Sequence, residues 1–170
     1  MLEPAYFNQD KLYEAYKKIY TEKNDLYLYI YYPQKDFYPY ISNNDSEFLQ
    51  FVSKDSKGNL LGFLTGYINR GYDLLEKFEV INFTRKPNII FSKDIEAYFD
   101  EVFFYKNLRK IEFSCIEQNP VLDMYRRLVK KLNGHEIGIA RESVKLTDGK
   151  YYNNVLFEII REGYINFKNC

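Results

Sequence analysis

The stretch Leu108–Tyr164 constrains the fold of this 170-residue chain more than any other, because three kinds of element follow one another there, each with matching turn chemistry. Lys110–Ile116 sets Ile111, Phe113 and Cys115 against Glu112, Ser114 and Ile116, the two-residue period of a strand. Val121, Tyr125, Leu128 and Leu132 then fall at helical spacing, with Leu122 and Val129 widening the stripe. Pro120 stands where a helix accepts proline and Gly134 where a helix ends. Beyond it, Asp148-Gly149 divides two runs rich in β-branched and aromatic residues, a hairpin signal, with the second strand read as far as Tyr164.

Upstream, the pattern predicts mainly short strands. Leu2–Phe7 reads as a first strand, and Asp10 as the cap of a helix whose face is Leu12, Tyr16, Ile19 and Tyr20. Leu26–Tyr32 alternates like a strand, and Pro33–Asp45 has the composition of a loop. Phe48–Lys54 and Leu60–Ile68 read as strands about the turn Ser56–Asn59, and Gly62 and Gly66 mark a bulge or a close backbone approach. After a turn at Asn69–Asp73, Leu74–Phe83 alternates Phe78, Val80 and Asn82 against Glu79, Ile81 and Phe83. Thr84–Phe91 reads as a loop, and Ser92 as the cap of a helix with Ile95, Phe99, Val102, Phe103 and Lys106 on its face. A strand, that helix and Lys110–Ile116 form a crossover, which requires a parallel pair. Ile165–Cys170 reads as a loosely held end. The sum is an α+β (mixed α/β) fold over residues 1–170 as a single domain.

Composition narrows the function classes. Lys plus Arg and Asp plus Glu number 24 each, so no bulk field favours nucleic acid or an anionic membrane. Two cysteines, Cys115 and Cys170, give neither a disulfide framework nor a metal spacing. With no leader-like start and no long apolar run, the expectation is a cytoplasmic protein. Eighteen tyrosines and fourteen phenylalanines without tryptophan admit a stacking platform, but they are spread along the chain and not interleaved with a basic stripe, which favours a compositional bias.

The ordered set Asn119-Pro120, Tyr125, Gly138, Arg141-Glu142 and Asp148-Gly149-Lys150-Tyr151-Tyr152 resembles the second half of a GNAT-type N-acetyltransferase, in the branch that acetylates ribosomal-protein N-termini and antibiotics. The resemblance implies a three-layer fold with a mixed, centrally splayed sheet flanked by helices. It implies acetyl-CoA as cosubstrate and an amine as acceptor, and it makes Leu26–Tyr32 a helix over the acceptor site, against the strand pattern. It places Tyr125 where a tyrosine protonates the departing thiolate, six residues after Asn119 where the family has seven. Glu79 falls at the strand carboxylate that takes a proton from the amine, and Asn119 at the residue contacting the pantetheine arm. Each has a simpler reading: Tyr125 as a core residue on its apolar stripe, Glu79 as a strand carboxylate at the rim, Asn119 as a helix cap. The family cradles the pyrophosphate in a loop of the form Gln/Arg-x-x-Gly-x-Gly/Ala. Here that loop, Thr84 to Ser92, holds no glycine, and Pro87 removes a donor. Arg85 and Lys86 would supply charge and Ser92 a helix start, or the two cations are simply solvated. Two functions follow: an acetyl-CoA-dependent N-acetyltransferase, or a non-catalytic binding protein of the same fold. An exposed strand edge would support a homodimer.

Overall fold

A computed structural model describes residues 1–22, 27, 39–146 and 148–169. The described residues form a seven-stranded mixed sheet in the order β1-β2-β3-β4-β5-β7-β6. The strands are β1 (Leu2–Pro4), β2 (Phe48–Lys54), β3 (Leu60–Asn69), β4 (Leu74–Asn82), β5 (Lys110–Ile116), β6 (His135–Lys145) and β7 (Tyr151–Ile160). Four helices accompany them: α1 (Gln9–Glu22), α2 (Ile89–Asp100), α3 (Leu122–Lys131) and α4 (Arg161–Lys168). Every pairing is antiparallel except β4 with β5, as the crossover through α2 requires.

Two apolar layers lie on opposite faces of the first half-sheet. Leu64, Leu75 and Phe78 pack with Tyr98, Phe99 and Val102 of α2 and the turn that prolongs it, and with Leu122 and Val129 of α3. Val52 and Phe63 pack with Leu12 and Tyr16 of α1, and Ile81 borders that cluster. The aromatic richness is largely core: Phe113 stacks on Phe157 at 5.2 Å and meets Phe78 edge-on at 5.6 Å. Such pairs add about 0.5–1.5 kcal/mol beyond their burial.

The ends of several elements differ from the sequence reading. Pro4 ends the first strand, and a short 3-10 turn, Ala5–Asn8, leads into α1, so Asp10 lies inside the first turn and does not cap it. Asn88 caps α2, its side chain accepting from the N–H groups of Ile90 and Phe91, and Ser92 sits four residues into the helix. Asn133, at φ +53°, makes the left-handed turn that ends α3, and the Gly134 N–H donates to the Val129 carbonyl at 2.8 Å. Gly134 is required for space instead, since a Cβ there would collide with the Glu158 carbonyl. Residues 161–168 are helical, not strand or loose end: Tyr164 is fully buried, stacks on Phe103 at 5.0 Å, and its hydroxyl donates to Asp100 Oδ1 at 2.8 Å. The segment Leu26–Tyr32 lies outside the described residues except for Tyr27, as does the part of the Pro33–Asp45 loop before residue 39.

Candidate functional site

The sheet opens in its middle. β4 and β5 pair only at Leu74 with Lys110 and Leu75 with Ile111, although the strands continue to Asn82 and Ile116. Past that point β4 is held by β3 alone and β5 by β7 alone, so each strand presents an edge of backbone N–H and C=O groups to the gap. An unpaired backbone edge inside a sheet needs water or a ligand to satisfy it. The floor is aromatic: Phe78 of β4, Phe113 of β5 and Tyr125 of α3, whose ring tilts on Phe113 at 5.5 Å.

A bulge in β4 decides which side chains line this wedge. Thr65 pairs with Glu79 but Tyr67 with Glu76, so Lys77 and Phe78 together oppose Gly66. Lys77 takes the left-handed conformation, φ +52°. One inserted residue reverses the alternation. Leu75 and Phe78 therefore both enter the α2 core, while Glu79 and Ile81 turn to the side of α1. Gly66 is needed opposite, where a Cβ would lie 2.8 Å from Leu75.

Four titratable groups meet at the wedge. The Glu79 side chain touches solvent, yet protein around it displaces much of the water that would answer its charge. Desolvation holds its carboxyl above the usual glutamate range, and Lys77 offsets part of that. The Tyr125 phenol is pushed up by burial first, then by Cys115 and Glu79. No described residue hydrogen-bonds either the Glu79 carboxylate or the Tyr125 hydroxyl. Tyr16 of α1 is raised by burial and then by Glu79, its ring edge-on to Phe63 at 6.2 Å and Phe83 at 5.8 Å. Burial lifts the Cys115 thiol to about 11, and its Sγ lies 3.6 Å from the Ile116 carbonyl. A thiol that stays protonated at neutral pH is a poor nucleophile.

The loop after β4 is built differently. Asn82 ties it from within: its Oδ1 accepts from the Thr84 N–H at 2.9 Å and hydroxyl at 2.7 Å, and its Nδ2 donates to the Lys86 carbonyl at 3.0 Å. The N–H of Phe83 donates to Leu61, that of Arg85 to Asn82, and those of Ile90 and Phe91 to Asn88 Oδ1 at 2.9 and 3.1 Å. Ser92 gives both its N–H and its hydroxyl to the Asn88 carbonyl. Arg85 and Lys86 are exposed at the tip, with Arg85 at φ +55°. A diphosphate cradle needs free, converging N–H donors. Here most donors already have acceptors among the described residues, and the two that do not, the N–H groups of Asn88 and Ile89, are too few for a converging cradle, so the residues fit that group poorly.

Asn119 lies three residues before α3, and its Oδ1 accepts from the Val121 N–H at 3.1 Å, so it closes the turn that leads into the helix, while Val121 takes the cap position that the sequence reading gave to Asn119. Of the residues singled out from sequence, Glu79 and Tyr125 come within electrostatic reach of each other at the wedge, whereas Arg85, Lys86 and Ser92 belong to the loop and first turn of α2. Among the described residues no group of His, Cys, Asp and Glu could hold a metal ion, and no helix is long and apolar enough to cross a membrane.

No family model matches the sequence, and no curated protein matches it. Solved structures do. A chimera of the Vibrio cholerae spermidine N-acetyltransferase SpeG with hSSAT aligns with 72% of this chain and 73% of its own, at 24% identity and a TM-score of 0.62. SpeG from Vibrio cholerae, a spermidine/spermine N-acetyltransferase, aligns over 90% and 91%, at 22% identity and a TM-score of 0.65. A GCN5-related N-acetyltransferase from Brucella melitensis aligns over 99% and 78%, at 17% identity and a TM-score of 0.71. The fold is the GNAT fold. The mixed, centrally opened sheet that the resemblance implied is thus present, with α1 on one side of its first half, α2 on the other, and α3 against β6 and β7.

Within this GNAT fold the sequence missed two contributors. Tyr16 reads only as a helix-face aromatic, and nothing in α1 signals that it borders Glu79. The Lys77 bulge leaves no mark either, because lysine is not a residue that announces a positive φ. Asn88 carried a usable signal, an asparagine two residues before the apolar run Ile90-Phe91, but Ser92 competed for the same role.

Proposed function

We propose that this chain transfers an acetyl group from a pantetheine thioester, with acetyl-CoA as the expected donor, to an amine. The observation that carries the reading is the early end of the β4–β5 ladder, with Glu79 and Tyr125 beside the opening. A pantetheine arm is an extended chain bearing amides, and its N–H and C=O groups match the unpaired edges of β4 and β5 as a further strand would. The aromatic floor of Phe78, Phe113 and Tyr125 would receive its methylenes.

The amine nitrogen attacks the thioester carbonyl, forming a C–N bond and breaking the C–S bond. The nitrogen sheds a proton and the leaving sulfur gains one. Glu79 accepts the first proton, because desolvation makes its carboxylate more basic than an exposed glutamate. Tyr125 donates the second, because its raised phenol is fully protonated at neutral pH while a thiolate is forming. Tyr16 lies within the field of the Glu79 charge, and that desolvated carboxylate favours a cationic acceptor.

The test is thiol release from acetyl-CoA with a panel of amines. Spermidine heads the panel, because structural neighbours are spermidine N-acetyltransferases, and a peptide with a free N-terminus follows. Release that depends on an amine and disappears in a Glu79→Gln, Tyr125→Phe double variant supports the reading. Binding of neither acetyl-CoA nor pantetheine at millimolar concentration contradicts it and leaves the non-catalytic function.

A further inference from the structure

We infer that the chain recognises its thioester donor through the pantetheine arm and draws little affinity from the nucleotide diphosphate, so that its donor class is acyl-pantetheine thioesters in general. This rests on the proposed function, and it concerns which part of the donor the protein reads.

The argument is an inventory of donors at the place where a diphosphate would approach. Between Phe83 and Ser92, the N–H groups of Phe83, Thr84, Arg85, Ile90, Phe91 and Ser92 donate to Leu61, Asn82 or Asn88, that of Lys86 points to Thr84 Oγ1 at 3.4 Å, and only those of Asn88 and Ile89 have no acceptor among the described residues. Pro87 has none to give. Asn88 occupies with its side-chain oxygen the position a phosphate oxygen would take at this helix start. Clearing the loop would break the Asn82 and Asn88 networks together, each bond lost without replacement weakening binding.

The surface chemistry agrees. The first two residues of α2 are Ile89 and Ile90, and Ile89 leaves 76% of its surface open. Each presents a branched apolar side chain where glycine would let a phosphate reach the backbone. Phe91 in the next position is turned inward, its ring against Gly62, where a Cβ would collide with it. The loop is therefore anchored from below as well as knitted within. What remains for a phosphate is the N–H groups of Asn88 and Ile89 and the charge of Arg85 and Lys86, exposed and screened by solvent.

The wedge has the opposite character. Its backbone edges from Glu76 to Asn82 and from Glu112 to Ile116 lack a strand partner on the facing side. Recognition by backbone pairing is indifferent to what is attached to the far end of the arm, whether an adenine nucleotide, a bare hydroxyl or a carrier.

Isothermal titration with reduced pantetheine and with coenzyme A, both thiols and so independent of the acceptor, tests the assignment. The expected result is dissociation constants within about thirty-fold of each other, the margin that two exposed cations supply at most. Coenzyme A binding more than about thirty-fold tighter would overturn the inference while leaving the proposed function intact. Binding of neither ligand would remove the proposed function and the inference with it. Asn88→Gly, which costs a helix only a few tenths of a kcal/mol, sharpens the result. With the Ile90 and Phe91 amides released, the coenzyme A preference should rise several-fold, and an unchanged preference would overturn the role given to Asn88.

Discussion

The two ends of β4 solve opposite problems. At its start the strand parts from β5 after Leu75, leaving backbone groups without a partner and two titratable side chains without a hydrogen bond among the described residues. At its end the chain turns from Asn82 into α2 with most of its N–H groups from Thr84 to Phe91 engaged by Asn82, Thr84 and Asn88. One region keeps its polar groups available and is held open by bulk, namely the bulge at Lys77 and the aromatic floor. The other keeps few available, the N–H groups of Asn88 and Ile89, and is held closed by hydrogen bonds. Availability, not sequence position in a motif, separates a surface that can bind from one that only folds.

Variants at the two regions should therefore fail in different ways. Tyr125→Phe removes one hydroxyl at the wedge and no packing, so turnover should fall by about 10²-fold, the lower range for a proton-transfer group, with the melting temperature unchanged. Equal turnover would return Tyr125 to the core. Gly62→Ala acts on the loop side, forcing a Cβ into the Phe91 ring and to within 2.7 Å of the Ile81 carbonyl. It should destabilise by about 1–3 kcal/mol, read by denaturant unfolding, while residual folded protein keeps its turnover. Asn88→Ala removes the cap and should cost about 1 kcal/mol, again without loss of turnover at saturating donor. A loss of turnover in either loop variant would break the contrast.

The smallest effect is at Glu79. Its carboxyl is raised on folding, so the folded state binds the proton more tightly than the unfolded chain. That linkage favours folding at low pH and fades as pH rises through the folded value. Glu79→Gln should accordingly be slightly more stable than the parent above that pH, by less than about 1 kcal/mol because the side chain is exposed, and no more stable at acid pH. The same variant should lose the ascending limb of the pH–rate profile, because the base works only when ionised. An intact ascending limb would dismiss Glu79 as the base.

Much of the fold was legible in the sequence because local signals agreed with the global arrangement. The alternation of Ile111, Phe113 and Cys115, the α3 stripe from Leu122 onward and the Asp148-Gly149 turn describe β5, α3 and the β6–β7 hairpin, with Gly149 at φ +80°, whereas Val121, expected on the stripe, precedes the helix and is exposed. Element ends were less legible, since capping is chosen among competitors: Asn88 over Ser92, and Asn133 over Gly134 for the left-handed turn. Helix α4 was hidden because Arg161-Glu162-Gly163-Tyr164 follows a strand without a break, and only the aromatic pocket at Phe99, Phe103 and Phe167 explains why Tyr164 turns inward. The candidate site was half legible. Glu79 and Tyr125 were named from the resemblance, but that they share a field, and that Tyr16 feels the same carboxylate, depends on how β4, α3 and α1 are brought near one another, which no spacing encodes.

The measurement that bears most directly on the contrast is a coenzyme A titration followed by backbone amide resonances. The wedge account predicts that shifts concentrate on Glu79–Asn82 of β4 and Phe113–Ile116 of β5, with the Ile90 and Phe91 amides unmoved. Shifts confined to Thr84–Ser92, with the β4 and β5 edges silent, would contradict it.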